Sequence, residues 1–386
     1  MASSVSLPLV VWHGFSNPNT TCLISSYPNV YAGQKDGTIL VYTFSKTNPS
    51  LLQHALVLIG HKTSVAALCI VKTETDAISD REDVLISASE DGEVARWNTS
   101  DGRCLTSNPN GFFGVPSQLK VFRQFSERYI FCCGQSNEIC ILNTTTLEVV
   151  RVWGSHPNWV TCTDFYDPVS RRGRLATLTM NGRLDVWDFD VSRQIVLKDQ
   201  SAVYQSLLVK DTNDMFDVAF DLISNEKMPS LCMALTSRNV IIFALSGVEF
   251  IPHVTLAAKP ETSWTGGAFC GPDRCVLWTQ NGEFYDYHLK APEGIRPGIM
   301  VDESHLYYSA HLMKAYSFEN EGLSLSLGSL NVTLCKGLEE PTAVLFCNRP
   351  TASAFCLVPL GDLSETKPST GKNDIVTRQA LLMFGL

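Results

Sequence analysis

Ser87-Ala88-Ser89-Glu90-Asp91-Gly92-Glu93-Val94-Ala95-Arg96-Trp97 is the stretch on which the fold turns. Asp-Gly is a favoured two-residue hairpin turn because both positions tolerate positive φ. The residues on either side therefore read as two antiparallel strands, the second ending in an aromatic. The same phrase returns at Thr177-Leu178-Thr179-Met180-Asn181-Gly182-Arg183-Leu184-Asp185-Val186-Trp187-Asp188. Weaker copies run from Asp36-Gly37 to Tyr42 and from Asn281-Gly282 to Tyr287. Degenerate copies run from Ser136-Asn137 to Leu142 and from Arg238-Asn239 to Phe243. Between Asp36, Asp91, Ser136, Asn181, Arg238 and Asn281 the intervals are 55, 45, 45, 57 and 43 residues.

A repeat of about 40–45 residues plus loop insertions is the length of one four-stranded propeller blade. Helical patterns are short, whereas alternating runs bounded by Gly, Asn and Pro are many. The chain therefore reads as an all-β propeller. Six units are visible and seven are expected. Residues 5–12 are expected to act as an N-terminal strand that completes blade seven, since closure removes an exposed sheet edge. The rest of that blade is expected from about His305 to Phe318 and from Ala343 to Leu357. Residues 1–360 form the propeller in this reading, and 361–386 a polar linker and tail.

The 386 residues are 45% hydrophobic, ample for a large core. Net charge is −9 and the pI about 5.4. The basic stripe of a nucleic-acid binder is missing; the densest basic cluster, Arg171-Arg172-Gly173-Arg174, reads as a solvated loop. The 13 cysteines are scattered without a CxxC pair, so neither a zinc site nor a disulfide framework is implied. Cys132, Cys133, Cys140 and Cys162 sit in apolar strand-like runs and read as reduced core thiols of a cytosolic protein. The N-terminal apolar run is broken by Pro8 and lacks a basic start, a poor signal peptide. The sequons at Asn19, Asn98, Asn143 and Asn331 then read as chance matches. No metal or cofactor is expected.

The second unit opens at Gly60-His61, and Val65 to Val71 reads as its innermost strand. This unit resembles a WD40 repeat. Blades of that family often carry a buried chain of Trp, Ser or Thr, His and Asp, which by position implies Trp97, Ser87, His61 and Asp91. Indole, hydroxyl, imidazole and carboxylate can satisfy one another inside a blade. A Ser/His/Asp set also suggests a hydrolase, but no G-x-S-x-G elbow accompanies it. The fourth unit keeps His156, Thr177 and Trp187, with Asn181 in place of the acid. The first unit has Ala32 and Tyr42, the third Cys132 and Leu142. Neither pair can form the chain, so those blades must rely on apolar packing.

Further stretches are more specific: Leu7-Pro8-Leu9-Val10-Val11-Trp12, Val84 to Leu105, Pro157-Asn158-Trp159-Val160, and above all Ser263-Trp264-Thr265-Gly266-Gly267-Ala268-Phe269 followed by Val276-Leu277-Trp278-Thr279-Gln280-Asn281-Gly282-Glu283-Phe284-Tyr285-Asp286-Tyr287. Over roughly residues 5–290 the chain resembles the N-terminal propeller of the rabconnectin-3 beta subunit and its WD-repeat paralogues. The resemblance implies a role in a cytosolic complex that promotes assembly of the peripheral sector of the vacuolar proton ATPase onto its membrane sector, and hence organelle acidification. The implied partners are a rabconnectin-3 alpha-like subunit and peripheral-sector ATPase subunits. Nucleic acid is not among them, and membrane association is indirect, at endosomal or vacuolar surfaces. Family members are much longer, and no family binding residue is carried over.

The competing classes are a propeller of vesicle coat or trafficking machinery, a substrate receptor of a ubiquitin ligase, and an enzyme. No HExxH, P-loop or G-x-G-x-x-G is present, and Asp164, Asp167, Asp185 and Asp188 read as solvated strand ends and turns. A non-catalytic interaction scaffold is the expectation. Its contacts are sought in the connections 73–83, 111–118 and 210–229, with Phe112, Phe113 and Trp159 as aromatic anchors if exposed.

Overall fold

The computed structural model describes residues 19–46, 52–72, 83–124, 127–154, 156–166, 173–190, 195–202, 219–224, 231–246, 249–280, 283–290, 309–317, 330–337, 342–348, 353–359 and 381–382. Every regular element among them is a β-strand, and the strands make seven four-stranded antiparallel sheets. The sheets span 20–58, 65–108, 116–153, 160–202, 219–257, 264–317 and 330–382, each built from four consecutive strands. They are blades one to seven.

The first strand of each blade packs on the first strand of the next. Thr20–Ser26 meets Val65–Val71, which meets Pro116–Gln124. The series continues through Val160–Tyr166, Ala219–Ser224, Trp264–Phe269 and Leu330–Cys335. Leu330–Cys335 packs back on Thr20–Ser26, so the inner strands line a circuit. This last seam is tied by Ser25 Oγ donating to Leu334 O at 2.9 Å and Asn331 Nδ2 donating to Thr20 O at 2.8 Å. An all-β propeller is thus the fold.

The outer strand of blade seven is Leu381–Leu382, which pairs with Phe355 and Ala354. The stretch 5–12, expected in this position, lies outside the described residues. So does most of 361–386, read as tail, from which this short strand comes. Blade seven's other strands are Leu330–Cys335, Thr342–Asn348 and Ser353–Pro359, whereas Ser309–Ser317 is the outer strand of blade six. Of the stretch from about His305 to Phe318, expected in the last blade, the described part, Ser309–Ser317, therefore belongs one blade earlier.

The repeat is clearer in the backbone than in the sequence. In six blades the third strand slips register against the fourth immediately before the same residue: Tyr42, Trp97, Leu142, Trp187, Phe243 and Tyr287. These are the six residues that end the recurring phrase. A β-bulge there adds local twist, so even the eroded copies keep the geometry.

Between blades the core is apolar. Ala67, Ile86, Ala88 and Val94 of blade two interleave with Ile130, Cys132, Cys140 and Leu142 of blade three. Tyr42 of blade one sits 5.2 Å from Phe346 of blade seven. Blades one and three, which lack the polar chain, are thus held by packing, as their Ala32/Tyr42 and Cys132/Leu142 pairs require. Cys132, Cys133, Cys140 and Cys162 are buried free thiols within this core. Burial pushes Cys133 and Cys69 up to about 12, leaving both as inert small hydrophobes. No described helix is long and apolar enough to cross a membrane.

Candidate interaction surface and blade networks

In blade two the Trp97 indole donates to Ser87 Oγ at 2.7 Å, and His61 Nε2 lies 2.6 Å from the same oxygen. All three side chains are buried. Gly60 makes room for them: a Cβ there would stand 2.7 Å from the Trp97 ring. The fourth member differs from expectation. His61 Nδ1 meets Glu93 Oε2 at 3.0 Å, not Asp91. Asp91 is exposed and takes a 2.6 Å hydrogen bond from Ser89 Oγ. The reason is geometric. Asp91 occupies the first turn position and folds back over its own hairpin, as Asx side chains do. Glu93 leads directly into the following strand, Val94–Asn98, and its longer side chain reaches the imidazole. The Ser89 bond holds the Asp91 carboxyl below its usual range.

Blade four repeats the arrangement. Trp187 Nε1 donates to Thr177 Oγ1 at 2.8 Å, and Thr179 Oγ1 donates to Asn181 Oδ1 at 2.6 Å, the counterpart of Ser89 and Asp91. His156 is brought alongside but is placed differently. Its Nδ1 lies 3.2 Å from Asn137 O, and its ring packs edge-on against Trp153 and Trp187 at 4.6 and 5.3 Å. His156, Thr177 and Trp187 are therefore gathered around one buried site, with aromatic contacts replacing part of the polar chain.

Three buried charge sites escape a reading of local sequence. Arg274 grips Asp286 in blade six with Nε–Oδ1 at 3.0 Å and Nη2–Oδ2 at 2.7 Å. Arg183 holds Asp185 at 3.0 Å in blade four. On the inner strands, Lys120 reaches Asp164 at 3.5 Å, and Gln118 Nε2 donates to Asp221 Oδ1 at 2.9 Å, joining blades three, four and five. Asp164 and Asp185 are thus buried and paired rather than solvated, because strand alternation turns them inward towards cations. The side chains of Asp167 and Asp188 lie outside the description. Burial pushes the Asp221 carboxyl up, and nearby Asp164 adds to this against the pull of Lys120. For Lys120, burial lowers the pKa, but Asp164 and Asp221 outweigh it and hold the ammonium above the usual range. A charged Lys inside a strand, flanked by Leu119 and Val121, was the one local signal. These pairs make blade walls; no group of His, Cys, Asp and Glu suited to a metal ion occurs among the described residues.

The three aromatic candidates fall on one end of the ring, in the loops that lead into inner strands. They divide there. Phe112 is buried against blades two and three, whereas Phe113 is 57% and Trp159 41% exposed. Of the candidate connections, 111–118 is described and borders this end, while 73–82 and most of 210–229 lie outside the described residues. Exposed Met180 stands beside Trp159, with Met180 N donating to Trp159 O at 2.8 Å. Sequence reading missed Met180 because it precedes a hairpin turn and looks like strand.

Gly266 explains the most specific sequence element. It lies directly across from Trp278, and a Cβ on Gly266 would collide with the Trp278 indole. Trp264 pairs with Thr279 in the same ladder, and its Nε1 donates to Leu256 O at 3.1 Å. Trp264 thus seals the seam with blade five and Trp278 the seam with blade seven, and the glycine facing Trp278 is a steric requirement.

No family model matches the chain. Its curated relatives include WD repeat-containing protein 72 from Mus musculus, 24% identical over 266 residues, covering 67% of this chain and 23% of the relative. The same-named proteins from Pongo abelii and Homo sapiens are each 22% identical, covering 44% of this chain and 15% of the relative. The matches thus span less than a quarter of those relatives' length. Among solved structures, the β-propeller domain of Cps50 (Swd1) from Myceliophteria thermophila aligns with a TM-score of 0.57 at 14% identity, covering 85% of this chain and 93% of that one. The chain is an all-β propeller with distant WD-repeat relatives.

Proposed function

We propose that this chain is a non-catalytic interaction scaffold that acts within a rabconnectin-3-like complex and promotes vacuolar proton ATPase assembly. The observation that carries the scaffold reading is the loop end of blades two to four, where exposed aromatic side chains stand on tightly bonded loops. The described buried carboxylates are committed to wall-building pairs, so nothing draws them towards chemistry on a substrate. The distant WD-repeat relatives and the Trp264–Gly266–Trp278 element support the narrower assignment. Its place in this reading is the cytosol, peripheral to endosomal or vacuolar membranes. The relatives extend well beyond the matched part, so activities of a longer protein belong to the proposal.

Affinity capture with the tagged chain tests it. Recovery of an alpha-like subunit and peripheral ATPase subunits is expected. Recovery of coat subunits instead, or of a cullin adaptor, would replace the reading with the trafficking or ubiquitin-ligase alternative.

A further inference from the structure

Among the described residues, ten large hydrophobic side chains are exposed. Four of them, Ile59, Phe113, Trp159 and Met180, share one end of the ring. They fall in loops leading into blades two, three and four or in the turn of blade four. Leu105, Val150, Val152, Leu312 and Met313 lie on outer strands, and Tyr27 is at the opposite end. The apolar groups at the loop end therefore cluster over three consecutive blades. At blades five and six, the same end carries a polar cluster, in which Lys259 Nζ donates to Glu283 Oε1 at 3.0 Å and Tyr285 Oη to Glu283 Oε2 at 2.7 Å.

The loops that present this cluster are joined into one ribbon. Phe112 N donates to Gly92 O at 3.1 Å, Gln135 N to Val115 O at 2.9 Å, Val160 N to Ser136 O at 2.9 Å, and Met180 N to Trp159 O at 2.8 Å. Phe113 points out because Phe112 already fills the seam between blades two and three. It is thus held out of the core by its neighbour, on a loop with little freedom to fold it back. Preorganised aromatics of this kind lose little entropy on binding.

The rim of the ribbon is acidic. Glu90 and Asp91 flank the Phe113 loop, and Glu138 lies against the Gly154 segment that leads to Trp159; all three are exposed. Lys35 and Lys62 are exposed on the blade-one side of Glu90 and Asp91, and Arg183, by Trp159 and Met180, is engaged by Asp185. Apolar knobs ringed by carboxylates select for the complementary chemistry.

We infer that the Phe113–Trp159–Met180 ribbon docks an extended segment of a partner protein in which Lys or Arg alternates with Leu, Ile or Phe. This inference rests on the scaffold reading and names the class of partner segment that its surface takes. The bases meet Glu90, Asp91 and Glu138, while the apolar side chains cover Phe113 and Trp159.

The test uses the full chain and three fluorescein-labelled synthetic octapeptides, read by fluorescence anisotropy. One alternates Lys with Leu and Phe, the second has Glu in place of Lys, and the third has Ser in place of Leu and Phe. Expected is binding of the first alone, weakened about tenfold by Phe113→Ser/Trp159→Ser and by Glu90→Lys/Glu138→Lys. Leu105→Ser, on an outer strand, is expected to leave it within about twofold. Far-UV circular dichroism shows that each variant is folded. The charge-reversal pair replaces only exposed side chains and keeps the test open should the aromatic pair unfold. Equal binding of the Lys and Glu peptides, or unchanged binding by both double variants, would overturn the inference. Capture by the same variants separates the two readings. ATPase subunits recovered equally by wild type and variants would leave the proposed function standing and remove this surface from it. Peptide discrimination without ATPase recovery would do the reverse.

Discussion

Glu93 meets the Nδ1 edge of His61 at 3.0 Å, while Ser87 takes the opposite edge and the Trp97 indole closes the chain. Glu93→Ala removes the carboxylate partner of a buried imidazole and is expected to cost about 1–3 kcal/mol. Asp91→Ala removes only a cap on the exposed turn and is expected to cost less. Urea unfolding of the two variants side by side checks the order; a larger loss for Asp91→Ala would return the acid to the turn.

Trp97 is fully buried and touches both His61 and the space left by Gly60. Trp97→Ala is expected to destabilise by about 3–5 kcal/mol through the cavity it leaves. Trp97→Phe keeps most of the packing but loses the donor to Ser87, and should fall between Ala and wild type. Thermal melting of both variants is the measurement.

Gly266→Ala places a methyl group in the Trp278 indole. Overpacking of a dense core costs about 1–3 kcal/mol, and Trp278→Leu in the same chain should restore part of it. A double-mutant cycle measures that coupling; additive losses would mean that the two residues do not meet.

The Arg274–Asp286 pair is bidentate and buried. Arg274→Met strands the Asp286 carboxylate and is expected to cost about 3–5 kcal/mol. Arg274→Met/Asp286→Leu removes both charges and should recover most of this. Chemical denaturation that finds the double variant no better than the single one would contradict the pairing.

Asp221 sets a pH dependence whose sign follows from burial. Its carboxyl is raised in the folded protein, so the folded state holds this proton more firmly than the unfolded chain. Its contribution to stability therefore falls as pH rises from the ordinary carboxylate range through the raised value. Asp221→Asn removes that dependence and still offers an oxygen to Gln118 Nε2. The melting temperature of the variant relative to wild type should be higher at pH 7.5 than at pH 4.5. A flat or reversed difference would place Asp221 in a better-solvated site.

Much of this molecule was legible in local chemistry. Asp91-Gly92 and Asn181-Gly182 announce hairpins because a two-residue turn needs positive φ, and Gly92 and Gly182 adopt 87° and 78°. Ser87 with Trp97, and Thr177 with Trp187, were legible because each pair sits on adjacent strands of one hairpin, so turn spacing brings them together. Blade seven was less legible. Its strands lack turn signals, and the pairing of Phe355 with Leu381 spans a chain separation that no local pattern encodes.

Sequence on its own therefore determined the all-β class, the blade period and which hairpins could carry a buried Trp–hydroxyl pair. These depend on backbone dihedral preference and on contacts a few residues apart. Tertiary packing decided that Glu93 rather than Asp91 meets His61, that Lys120 meets Asp164 across a blade seam, and that Phe112 is buried while Phe113 faces solvent. Side chains of similar chemistry and adjacent position compete for each of these sites. Reach and burial choose between them, and both exist only once the blades have closed against one another.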